Sequence, residues 1–260
     1  MTIDDSKGSV TGSKVPGSNV PGLKGKVLYA FGDSIIDGHV YTGRSCADVV
    51  AEREGMILVK RARNGATILD SDIVNGLGGQ ILRQVGTVEP DQPKPDAILF
   101  DGGTNDAYAD RIPASLGSVG ASKDPAALDL TTFAGCFEAT ILAFREAWPD
   151  AAIVYLAAAK LGGRDWSVQN DLRCVALAAC AKWDVTVADV FGDTELDTRR
   201  DDHRVRYSFD ALGSDGLPGT PETIDYPNPA TQPSGTHPNF EAIDRFYAPV
   251  IARALESALA

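Results

Sequence analysis

A chain of 260 residues with 43% apolar side chains is long enough for one large domain with a sizeable buried core. Its 24 Lys and Arg against 36 Asp and Glu leave a net charge of −12, with no basic run dense enough to neutralise successive phosphates, which argues against nucleic acid as a partner. No apolar run is long enough to span a bilayer, and the first 22 residues lack an apolar signal core, so a soluble, cytoplasmic protein with no membrane partner is expected.

Residues 1–22 are rich in Gly, Ser and Pro without hydrophobic periodicity, and read as a flexible arm ahead of a single domain over 23–260. Continuous apolar runs follow at Val27 to Phe31, Met56 to Val59, Ala97 to Phe100, Ala152 to Ala157 and Val185 to Val190. Unbroken runs suit strands buried on both faces, as in a parallel sheet. Between them, Phe133, Phe137, Ile141, Phe144 and Trp148 recur at helical spacing, as do Val168, Leu172 and Val175. This alternation predicts an α/β, flavodoxin-like three-layer sandwich around a central, mostly parallel five-stranded sheet. Phe240, Ile243, Tyr247, Val250 and Ile251 predict a closing helix that Pro249 should kink or interrupt. The stretch at about 191–236 has no clear apolar period and is expected to be a long loop excursion over one sheet end. Cys46, Cys136, Cys174 and Cys180 have no metal-type or redox-type spacing and are expected as buried free thiols.

Four short blocks carry the polar chemistry. Gly32-Asp33-Ser34-Ile35 follows the first strand directly, where ligands bind in an open α/β sheet. Asn64-Gly65-Ala66 follows the second strand, and Gly102-Gly103-Thr104-Asn105-Asp106 follows the third. At one sheet edge, the backbone N–H groups of Ser34 and Gly65 and the Asn105 amide would form a three-donor oxyanion hole. Ser234-Gly235-Thr236-His237-Pro238-Asn239 precedes the last helix, and His237 can reach back toward Ser34. Each block alone is an ordinary turn or cap. His39 is expected to be carried off by a helix starting near Ser34 and to be a substrate-side or surface residue, while His203, among Arg and Asp, is expected to be solvated. Asp33, Asp37 and Asp106 are read as loop-stabilising.

In this order the blocks resemble the SGNH family of hydrolases, a branch of the GDSL esterases and lipases, from Phe31 to Asn239. The resemblance implies Ser34 as nucleophile, Gly65 and Asn105 as oxyanion donors and His237 as base. It also implies an acyl-enzyme mechanism without metal or organic cofactor. The family's usual Asp three residues before the histidine is Ser234 here. Three readings follow: a Ser–His dyad whose imidazole is oriented by the Ser234 hydroxyl or a backbone carbonyl; a carboxylate from elsewhere, such as Asp215 or Asp225; or a weak relative that binds an acylated ligand. The first is favoured. The implied substrates are short-chain acyl esters of carbohydrates or small molecules, with thioesterase or lysophospholipase activity as the alternative. A flavin- or phosphate-binding module is the rival, but no phosphate-cradling glycine-rich loop follows a strand.

Overall fold

The computed structural model describes residues 22–39, 41, 43–70, 78–107, 112–209 and 233–260. The five apolar runs form strands β1 (Val27–Phe31), β2 (Ile57–Lys60), β3 (Ala97–Phe100), β4 (Ala152–Ala157) and β5 (Thr186–Asp189). They lie in the order β2-β1-β3-β4-β5, with every pairing parallel. The chain runs outward from β1 to β2, then crosses back to β3, so a crevice opens beyond the carboxyl ends of β1 and β3.

Successive side chains alternate between two cores, as the pleat requires. Leu28, Ala30, Leu99, Val154 and Leu156 pack with helix α2 (Cys46–Glu54) and with the carboxy-terminal helix α6 (Ala248–Leu259). Tyr29, Phe31, Ile98, Phe100, Ile153 and Tyr155 pack with α3 (Phe133–Ala147) and α4 (Trp166–Lys182). The Phe133, Phe137, Ile141 and Phe144 stripe of α3 is fully buried. Its rings interlock with the sheet: Phe144 lies 5.0 Å from Phe31 and 5.3 Å from Phe100, and Phe137 lies 4.9 Å from Tyr155. The three-layer sandwich is therefore as the sequence predicts.

Three expectations need amendment. The stretch at 191–236 is not all loop, because helix α5 (Asp201–Tyr207) and a short strand β6 (Ser208–Phe209) lie within it. Helix α5 buries only Tyr207 at its end and carries charge pairs such as Arg204 with Asp201 on its surface, so hydrophobic periodicity had little to detect. Strand β6 pairs antiparallel with β7 (His237–Pro238), placing Phe209 opposite His237. Cys46, Cys136 and Cys180 are buried, but Cys174 is exposed on the outer face of α4. The interruption expected at Pro249 is a change of helix type rather than an end to the segment. The segment runs Phe240–Ala242, passes through a π-turn at Ile243–Tyr247 and continues as α6, with Pro249 in its first turn. A wide turn there accommodates a residue that has no N–H to give and a ring that crowds the carbonyl four residues back. Asp215 and Asp225 lie outside the described residues.

Phe144→Ala would remove a ring packed between two strand aromatics. The expected cost is about 3–5 kcal/mol of unfolding free energy in urea at unchanged m-value. A loss below about 1 kcal/mol would mean the aromatic layer is not the main packing core on this face.

Candidate active site

The exit from β1 leaves room for only one residue type. Gly32 has φ +145°, and a Cβ built on it would sit 1.6 Å from Asp101 Oδ1. Its peptide groups are clamped by the side-chain amide of Gln84, which accepts from Gly32 N and donates to Gly32 O, both at 2.8 Å. Asp33 then caps helix α1 (Ser34–Asp37) by accepting from Ile35 N at 2.9 Å. Ser34 is thus the first residue of a one-turn helix, with its backbone fixed on both sides and only 5% of its surface exposed. The helix ends at once because Gly38, at φ +103°, returns its N–H to Ser34 O.

This early stop changes the fate of His39. A longer helix would have carried it away. Instead a second left-handed residue, His39 at φ +56°, turns the chain back. The His39 ring lies face to face on His237, with centroids 3.8 Å apart and planes 5° apart. His237 in turn places Nε2 2.9 Å from Ser34 Oγ. Its loop is anchored by Thr198, whose hydroxyl donates to Gly235 O at 2.5 Å, and by Arg164, which donates to Thr104 O and Thr236 Oγ1. Ser234 is exposed, and its hydroxyl donates to Thr236 Oγ1 at 3.0 Å. His203 is not merely solvated: its Nδ1 accepts from Asp197 N at 3.1 Å and its ring meets Tyr207 edge-on, so it braces α5.

The second and third blocks are stitched to the first. Arg63 N donates to Gly32 O at 3.0 Å, and Asn64 Nδ2 donates to His39 O at 2.9 Å. Asn105 Nδ2 gives one N–H to Ala66 O at 2.9 Å, the residue after Gly65, which itself holds φ +76°. A primary amide retains a second N–H donor. Asp106 accepts from Ile68 N and Leu69 N at 3.0 and 2.9 Å, so its role is to bind the two loops together, and burial pushes its pKa up to about 6. Asp37 likewise accepts from the Asn64 backbone. Ser34, Gly65, Asn105 and His237 therefore lie on four loops tied into one sheet edge.

Beneath Ser34, two carboxyls meet. Asp33 N donates to Asp101 Oδ1 at 2.9 Å, both side chains are fully buried, and Oδ2 of each has no hydrogen-bond partner among the described residues. Burial raises both pKa values, that of Asp101 well above the usual carboxylate range, where the Asp33 charge adds to the effect. A proton held by the pair would supply a donor at this buried place and leave one negative charge between the two carboxyls. Sequence reasoning missed Asp101, Gln84, Arg164 and the stacked position of His39. Asp101 carried a signal, as an acidic residue closing an apolar strand, and so did His39, which follows the helix stop Asp37-Gly38.

One cavity is lined by Ser34, His39, Tyr41, Arg44, Phe209 and His237, and another by Gly102, Thr104, Tyr155, Leu161 and Phe191 among others. Among the described residues, no cluster of His, Cys, Asp and Glu is arranged to hold a metal ion. A hydroxyl hydrogen-bonded to an imidazole beside convergent amide donors is an arrangement suited to acyl transfer.

Comparison with known proteins agrees with that chemistry. Residues 30–241 match the model of the GDSL-like lipase/acylhydrolase family. Among solved structures, a protein from Lactobacillus plantarum superposes with TM-score 0.63 at 20% identity, covering 90% of this chain and 96% of that one. Phospholipase A1 from Streptomyces albidoflavus NA297 superposes with TM-score 0.56 at 15% identity, covering 88% and 99%. At such identities these neighbours speak for the fold alone. No curated protein matches the chain closely enough to compare.

A proton held by this pair has a measurable consequence. A carboxyl with a raised folded-state pKa keeps its proton after the unfolded chain has lost it, so stability falls as pH rises above about 4 toward the folded value. Asp101→Asn preserves the acceptor for Asp33 N and supplies a permanent donor. In urea unfolding it is expected to exceed the wild type in stability at pH 8, with the advantage shrinking toward pH 4. An advantage that grows on acidification would contradict proton sharing.

Proposed function

The chain belongs to the GDSL-like lipase/acylhydrolase family, which makes it an ester hydrolase in the broad sense, and from that premise we propose that it cleaves short-chain acyl esters through an acyl-enzyme on Ser34. The observation that carries this reading is the 2.9 Å contact between His237 Nε2 and Ser34 Oγ. His237 takes the Ser34 proton as the oxygen attacks the ester carbonyl. The N–H groups of Ser34 and Gly65 and the Asn105 amide receive the developing oxyanion, and the imidazolium then protonates the leaving alcohol. Water activated by the same ring releases the acid and regenerates the hydroxyl.

In this reading the imidazole is oriented without an aspartate at 234, where Ser234 donates to Thr236 Oγ1. Negative charge on Asp33 would interact favourably with the His237 cation and offset part of the charge formed in the first step. The cavity against Ser34 is bounded by the rings of His39, Tyr41, Phe209 and His237, which supports small acyl groups such as acetyl on a carbohydrate or other small alcohol. The apolar cavity lined by Gly102, Tyr155, Leu161 and Leu172 favours, as a second reading, the longer chains of thioesters or lysophospholipids.

Hydrolysis of p-nitrophenyl esters from acetate to palmitate separates these readings. Wild type is expected to turn over acetate fastest, while Ser34→Ala and His237→Ala each lose at least about a thousandfold in kcat. A maximum at long chains would transfer the assignment to the second reading. Unchanged turnover in Ser34→Ala would end the serine mechanism, and an inert wild type that retains acyl ligands would mark a binding protein.

A further inference from the structure

Resting on the Ser34–His237 reading, we propose that His39 is a positioning residue for His237, fixing the plane of its ring by face-to-face stacking and favouring the cation that His237 becomes during turnover. The rings are 3.8 Å apart and within 5° of parallel. Two neutral aromatic rings prefer offset or edge-to-face contacts to such a sandwich, because their faces carry like partial charge. A cation over a neutral aromatic face is attracted instead. The stack is therefore more favourable after His237 has taken the Ser34 proton than before, which is the condition for lowering a barrier rather than tightening ground-state binding.

The surroundings hold His39 to this task. Its backbone is in the left-handed region at φ +56°, which His shares with Asn and Asp more readily than other side chains do, and Asn64 Nδ2 holds its carbonyl at 2.9 Å. Phe209 backs both rings, at 6.0 Å from His39 and 6.3 Å from His237, and is fixed opposite His237 in the β6–β7 ladder. The stack acts on the face of the imidazole and is independent of what meets Nδ1 at its edge.

Two substitutions test this. His39→Asn retains a residue suited to the left-handed backbone and removes the ring; His39→Phe retains a flat ring and removes the nitrogens, with the adjoining cavity to take its extra volume. In p-nitrophenyl acetate hydrolysis, His39→Asn is expected to lose about tenfold in kcat with KM within about twofold of wild type, and His39→Phe to recover most of that loss. Equal kcat in wild type and His39→Asn would overturn the role while leaving the hydrolase reading intact. So would a His39→Phe as impaired as His39→Asn, or a loss confined to KM. Wild type without turnover would overturn the hydrolase reading and this role together, so the two failures are distinct.

Discussion

The contact between Ser34 and His237 joins residues 203 positions apart, and most of the polar architecture at the sheet edge exists to hold its two ends still. A hydrogen bond in water contributes only about 1 kcal/mol net, too little to order two loops by itself. The ordering comes from each side separately. On the serine side, Gln84 clamps Gly32, Asp33 caps the single helical turn, and Gly38 closes it. On the histidine side, Thr198, Arg164 and the β6–β7 pairing define the path of Gly235 through Pro238. The proposed reacting atoms thus approach each other because two rigid supports converge, which is the preorganisation that acyl transfer needs.

Burying acid groups at this edge has a cost that the fold meets locally. Asp106 is satisfied by two backbone donors, whereas Asp33 and Asp101 each keep one oxygen without a partner among the described residues, and burial raises both their pKa values. The same pair forms the wall against which Gly32 turns, so any side chain at position 32 would collide with Asp101. Local geometry, protonation and the position of Ser34 are therefore one coupled arrangement. Any negative charge retained by these acids favours the cation that His237 would become.

The layers of this fold were legible because strands buried on both faces write unbroken apolar runs, and because α3 writes a stripe of large aromatics at helical spacing. The four blocks at strand ends were legible for a related reason: a doubly wound sheet sends its loops to known places. What escaped has no periodic signature. Gln84 lies in a short 3₁₀ stretch without a repeating face, and its importance arises only from a contact 52 residues distant in sequence. Helix α5 carries charge pairs on its surface, which read as solvated loop. The error at His39 was one of helix length: Asp37-Gly38 is a recognisable helix stop, and the left-handed turn it permits returns the next ring to the site.

The central claim is that Ser34 is made nucleophilic by His237, and covalent trapping addresses it without reference to any particular substrate. Wild type and His237→Ala would be treated with diethyl p-nitrophenyl phosphate and examined by intact and peptide mass spectrometry. The account predicts one diethylphosphoryl adduct in wild type, confined to the peptide containing Ser34, and little or none in His237→Ala over the same period. A label on another residue, or equal labelling of Ser34 without His237, would contradict it.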